Sequence, residues 1–271
     1  MGDRTDSLWP LHVDVHDGDG PPMLLVHGIM AGRALWAANI EPLREVVTPV
    51  VIELYGHGRS PAPTDGRAYD PGTYAEAFDA IRAGLGAERW FVVGHSLGAA
   101  LTLRYVLDHP DRVLGHVFTN SASALADEEW RTNMRATIGG AADALEAAGH
   151  AAFATSRLNP ARSRHLVPHV REALAADVAL LSPYGIAQTM RHTTPTTSVR
   201  DRVHANPAPC LVVAGWREMV FDEPSGYAER VMPMAEVHRV DAGHSPNGEV
   251  PEIFNATVIA FVRRVLAARP R

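Results

Sequence analysis

The chain has 271 residues, 46% of them hydrophobic, and a formal charge of −6. That length fits one large α/β core with an insertion better than two independent domains. The acidic balance and the lack of a basic stretch argue against nucleic acid or an acidic membrane surface as the main partner. All 25 basic residues are arginine, which removes serine–lysine dyads, lysine Schiff bases, covalent pyridoxal chemistry and the phosphate-loop lysine. Exclusive arginine also fits a GC-rich bacterial genome.

Neither a charged-then-apolar leader in MGDRTDSLWPLHVDVHDGDG nor any run near the roughly 20 apolar residues of a membrane span is visible. The expectation is a soluble, cytoplasmic protein.

Taken in chain order, strand-like runs fall at LHVDV (11–15), MLLVH (23–27), PVVIEL (49–54), RWFVV (89–93), VLGHVFT (113–119), CLVVAG (210–215) and AEVHRV (235–240). Helical spacing is read near Ala34 to Val46, Thr73 to Leu85, Ala99 to Asp108, Pro224 to Val231 and Pro251 to Ala268. Alternation of this kind predicts a mainly parallel, doubly wound sheet with helices on both faces. Ligands in such sheets bind beyond the carboxyl ends of the strands. From 121 to 203 the alternation gives way to alanine-rich helical spacing, read as a helical cap inserted into a core of residues 1–120 and 204–271. A cap at that point would roof the strand ends. Gly139, Gly140, Pro183 and Gly185 within it are either hinges or plain helix boundaries. The lone cysteine, Cys210, falls in an apolar strand pattern and reads as a small core residue.

The stretch VVGHSLGAALTLRYV (92–106) places Ser96 at a corner between a strand and a helix. So sharp a corner strains its central residue and crowds the positions two residues either side, where Gly94 and Gly98 relieve the clash. A hydroxyl pushed clear of the backbone at a strand end is well placed to be a nucleophile. It needs a base, normally a histidine held by a carboxylate. Of 14 histidines, His244 follows the last strand and precedes the last helix, beside turn-forming Gly243 and Pro246. His95 adjoins the serine, but side chains diverge at such a corner, so it is expected to pack sideways.

The acid is expected after CLVVAG, with Glu218 the first choice and Asp222 the alternative. The other strand-end acid position carries Asn120, which cannot offset an imidazolium charge. Two backbone N–H groups, of Leu97 at the helix start and Ile29 in LLVHGIMAG, are candidates for an oxyanion hole. Met30, Trp36, Trp130, Phe153, Tyr184 and Trp216 are candidates for an apolar substrate lining.

With HGIMAG, YGHGRS (55–60), GHSLGAAL, the AGWRE turn and DAGHSPNGEVPEIF all present, and nucleophile, acid and histidine in that order, the sequence resembles the α/β-hydrolase superfamily. Within it the chain looks like the small cap-bearing group of enol-lactonases, lactonases, arylesterases and cofactor-free haloperoxidases. The resemblance implies an α/β-hydrolase fold and a small ester or lactone as substrate. It also implies no metal or organic cofactor. Glu218 stands where aspartate is usual, and Glu53 where a strand-end aspartate is common; Glu53 is read as structural. A serine at the elbow separates the chain from relatives that dehalogenate or open epoxides with aspartate. Carbon–carbon or thioester hydrolysis and perhydrolysis by the same residues remain open at this level, as does a ligand sensor that has lost turnover.

Overall fold

The computed structural model describes residues 10–268. The first nine residues, part of the stretch read for a leader, lie outside the described residues, as do the last three. In chain order the elements are β1 (His12–Val15), β2 (Pro22–Val26), α1 (Ile40–Leu43), β3 (Thr48–Glu53), α2 (Pro71–Gly84), β4 (Trp90–Gly94), α3 (Leu97–Asp108) and β5 (Val113–Thr119). There follow α4 (Glu128–Ala148), α5 (Ala151–Thr155), α6 (Pro168–Asp177), α7 (Pro183–Gln188), β6 (Cys210–Gly215), α8 (Asp222–Val231), β7 (Ala235–Val240), α9 (Pro246–Glu249) and α10 (Pro251–Ala267).

The strands form one sheet in the order β1-β3-β2-β4-β5-β6-β7. Only β1 runs antiparallel to its neighbour; the other pairings are parallel. Period-two side-chain alternation explains why the central strands read as continuous apolar runs. Leu24, Val26, Trp90 and Val92 pack on one face with Tyr74, Phe78 and Tyr105. Met23, Leu25, Phe91 and Val93 pack on the other with Phe254 and Phe261.

One predicted helix is broken. The run from Ala34 to Val46 forms a 3₁₀ turn at Arg33–Trp36 and then the short α1. Pro42 lacks an N–H and is tolerated only in a first turn, so the helix restarts at Ile40. Asn39, at the break, donates to the Asn247 carbonyl at 3.0 Å and to Asn255 Oδ1 at 2.8 Å, tying the segment to α9 and α10.

Between β5 and β6 the described chain is helical, with no strand. Gly139 and Gly140 lie inside the 21-residue α4. Gly185 is a point of close packing: a Cβ there would fall 2.4 Å from Gly56 Cα. Among the described residues no helix is long and apolar enough to cross a membrane.

Candidate active site

Strand β4 lies between β2 and β5, with Val26 opposite Gly94. The chain therefore reverses its strand order at β2/β4, and the loops after these two strands sit side by side, as at a topological switch point. Ser96 occupies the turn from β4 to α3 with φ 55° and ψ −115°, a left-handed conformation that strains a residue bearing a Cβ. The glycines around it are sterically required. A Cβ on Gly94 would lie 2.4 Å from the Gly98 carbonyl, and one on Gly98 would lie 2.3 Å from the Val26 carbonyl.

The Leu97 amide opens α3 and the Ile29 amide follows β2; neither donates to a protein acceptor among the described residues. The loop carrying Ile29 is fixed by two histidines. His27 donates through Nδ1 to the Gly28 carbonyl at 2.7 Å, and its Nε2 accepts the Leu54 N–H at 3.1 Å. His57 donates through Nδ1 to the Tyr55 carbonyl at 3.0 Å, and its Nε2 accepts the Met30 N–H at 3.0 Å. A carbonyl can only accept, so both tautomers follow from these partners. Burial pushes His27 down to about 4; burial, with His27 beside it, pushes His57 down to about 3. Met30 is held at φ 57° by the His57 bond, the only positive-φ residue besides Ser96 that is not glycine among the described residues.

His244 follows β7. Its ring meets Phe221 edge-on at 4.7 Å and lies 5.0 Å from the ring of His95. Desolvation in this setting depresses its pKa to about 4, so the imidazole is neutral at neutral pH and free to take a proton. Three side chains fix the loop that carries it. Glu218 Oε1 accepts the His244 N–H at 2.9 Å. Glu249 accepts the Gly243 and Ser245 N–H groups at 2.8 and 3.0 Å. Asn120, buried at the end of β5, donates to the carbonyls of Gly215 and Gly243 at 2.8 and 2.9 Å and accepts the Gly215 N–H at 3.1 Å. The carboxyl ends of β5, β6 and β7 are stapled by that one amide.

Ser96, His244, Glu218 and Ile29 line a single cavity of about 430 Å³, with Leu97 next to the serine. Asp222 begins α8 outside this cavity and lines a different hollow with Arg239. None of the six residues expected as apolar lining lines this cavity, whose apolar residues are Ile29, Ala31, Leu158 and Pro160. Met30 and Phe153 are buried in a cluster with Leu145 and Ile186, Trp36 packs on Phe254 in the core, and Tyr184 hydrogen-bonds the Thr64 carbonyl at 3.3 Å. Trp130 lies in the first turn of α4, and Trp216 is 55% exposed. For Met30, Trp36 and Phe153, full burial among other side chains lowers the free energy most and takes them into packed clusters away from a wet cleft.

Much of the lining comes instead from a loop after α5, residues 156–163, which supplies Arg157, Asn159 and Arg162. His95, Ser245 and Glu249 also line the cavity and were not anticipated. His95 does not turn away from the site: its buried ring sits beside His244, and its Nε2 is 3.0 Å from Ser245 Oγ. The one sequence signal for Glu249 is its place in GHSPNGEVPE, a turn after the histidine and just before the last helix.

Glu53 is buried, and its Oε2 accepts the Arg59 N–H at 2.9 Å and Nε–H at 3.2 Å, away from the cavity. Cys210 is buried against His116, and burial raises its thiol well above the ordinary range. Among the described residues no group of three or more His, Cys, Asp or Glu could hold a metal ion.

The alpha/beta hydrolase fold family matches residues 21–249. The chain belongs to that family. Over 114 residues, 41% of this chain, it is 32% identical to a (lyso)-N-acylphosphatidylethanolamine lipase of Bos taurus, of which the match covers 33%. The chain thus spans about a third of the length of the curated relatives it matches. MenH from S. aureus superposes with a TM-score of 0.83 at 16% identity, covering 94% of this chain and 99% of that one. An enol-lactonase from Burkholderia xenovorans LB400 superposes at 0.74 with 19% identity, covering 93% and 96%. At these identities the structural likeness speaks for the fold, which this hydrolase-family chain shares over nearly its whole described length.

Proposed function

We propose that this α/β-hydrolase family member cleaves a small carboxylic ester or lactone through an acyl-enzyme on Ser96, under a helical cap formed by residues 121–203. The observation that carries the reading is the strained Ser96, whose φ of 55° turns it onto the same cavity wall as a neutral His244. His244 takes the Ser96 proton as Oγ attacks the carbonyl carbon. The oxygen that becomes negative is met by the N–H groups of Ile29 and Leu97, which are fixed in advance and donate to no other protein group among the described residues. The imidazolium then protonates the leaving alkoxide as the carbon–oxygen bond breaks. Water, deprotonated by the same imidazole, attacks the acyl carbon; the bond from that carbon to Oγ breaks, the imidazolium returns its proton to Oγ, and the carboxylic acid leaves. Glu218 is the acid of this reading, since it holds the His244 backbone and lines the cavity with it.

The test is stopped-flow release from p-nitrophenyl acetate and butyrate, beside Ser96→Ala. A burst followed by steady turnover, absent in the variant, supports the reading. Turnover retained in Ser96→Ala overturns it.

A further inference from the structure

Resting on the ester or lactone reading above, we infer that the substrate carries an anionic group, a carboxylate or a phosphate ester, held by Arg157 and Arg162 in the cavity they share with Ser96. Both arginines line the cavity. Neither has a carboxylate within ion-pair distance among the described residues, whereas Arg200, Arg217 and Arg239 pair with acids at 2.8, 2.8 and 2.6 Å. The surrounding chain is unusual for a protein of net charge −6: residues 147–171 contain no Asp or Glu and four arginines. Neutral spacers between those arginines hid this local excess from a search for basic runs.

The loop is also built to hold still. Asn159 donates to the Phe153 carbonyl at 3.0 Å and accepts the Ala161 N–H at 3.0 Å. Arg162 Nη1 bonds the carbonyls of Thr155 and Ser156 at the end of α5, which leaves its Nε and Nη2 donors for a ligand. Both guanidinium groups are exposed to the cavity's solvent with no acidic partner among the described residues, and the guanidinium fork matches the two oxygens of a carboxylate or phosphate. Two acids, Glu218 and Glu249, also line the cavity, and their carboxylates accept the N–H groups of residues 243–245 beside His244. The cavity is therefore polarised, with the reacting carbonyl expected at Ser96 and the anion under the loop.

Two measurements test this. The first compares kcat/KM for mono-p-nitrophenyl glutarate and p-nitrophenyl butyrate in the wild type and in Arg157→Gln/Arg162→Gln. The anionic ester should be preferred by the wild type, and the ratio of the two constants should fall by about tenfold to a hundredfold in the double variant, carried by KM. The second is titration calorimetry of Ser96→Ala with glutarate and with glycerol 3-phosphate, repeated with both arginines replaced. Binding of either anion that is lost on replacement supports the inference, and the tighter of the two names the anion. This arm needs no turnover, so a failed hydrolase reading and a failed anion site give different results. An unchanged ester ratio together with no arginine-dependent binding of either anion overturns the inference.

Discussion

Replacing Asn120 by Asp would appear, from sequence, to add a second strand-end acid near His244; the hydrogen bonds predict damage instead. The Asn120 amide donates to the carbonyls of Gly215 and Gly243, and a carboxylate cannot donate. Each buried carbonyl left unpartnered costs about 1–3 kcal/mol, so Asn120→Asp should lose about 2–6 kcal/mol before the repulsion of a carboxylate facing two carbonyl oxygens is added. At about 2–4 °C of Tm per kcal/mol for a chain somewhat smaller than this one, the loss is plainly measurable.

The pH dependence gives the sharper test. With no cation among its partners, the new carboxyl should titrate above the ordinary Asp value in the folded state, so the unfolded chain binds fewer protons between the two values. The deficit relative to wild type should therefore shrink as pH falls from 8 toward 4, when a protonated Asp regains one donor. Urea unfolding of wild type, Asn120→Asp and Asn120→Ala at several pH values decides. A deficit under 1 kcal/mol, or one that ignores pH in the Asp variant, would mean that the Asn120 donors hold neither carbonyl.

Three further outcomes follow from the site. With His244 depressed to about 4 by desolvation, kcat/KM for a neutral ester should hold level from pH 8 to about pH 5 and fall with a midpoint near 4, not near the ordinary histidine value; a limb at 6.5 would mean that water reaches the half-buried ring freely. Glu218→Gln should lower kcat by about 10²–10⁴ and Glu249→Gln by less than about tenfold, and the reverse order in steady-state kinetics would move the acid role to Glu249. His57→Phe, which removes the acceptor of the Met30 N–H, should lower kcat by about tenfold or more with little change in KM, provided circular dichroism shows a folded chain; an unaltered kcat would mean that the loop holds its shape without that bond.

Stability should also decline in acid for a reason visible in the core. His27, His57 and His116 are pushed down to between about 3 and about 4, in each case chiefly by burial. Each takes up its proton more readily unfolded than folded. Their stabilising contribution is therefore complete above about pH 6.5 and is lost as pH falls toward the folded values, at up to about 1.4 kcal/mol per pH unit for each histidine.

The central strands were legible because a sheet covered on both faces demands mainly apolar runs, and VLGHVFT and CLVVAG fall on β5 and β6 residue for residue. AEVHRV, on the partly exposed edge strand β7, matches equally well although Glu236, His238 and Arg239 interrupt it. Ser96 and His244 were legible because a strand-to-helix corner and a loop after the last strand leave few positions from which a side chain can reach the strand ends. The cavity wall was not. Aromatic residues are conspicuous in sequence, yet burial draws Trp36 and Phe153 into packed clusters. Many of the residues that do line the cavity sit in SRLNPARS, a loop without period, where nothing local marks one side of the chain as inward. The staple made by Asn120 escaped for another reason: its partners, Gly215 and Gly243, are 95 and 123 residues away. Such a bond is set by strand order, which local pattern does not encode.

The most direct test of the account is mass spectrometry of the protein quenched in acid within the first turnovers of p-nitrophenyl butyrate, with the labelled peptide sequenced. A butyryl ester on Ser96 should be found and should disappear as substrate is exhausted. Turnover with no acyl adduct, or with the adduct on another residue, would contradict it.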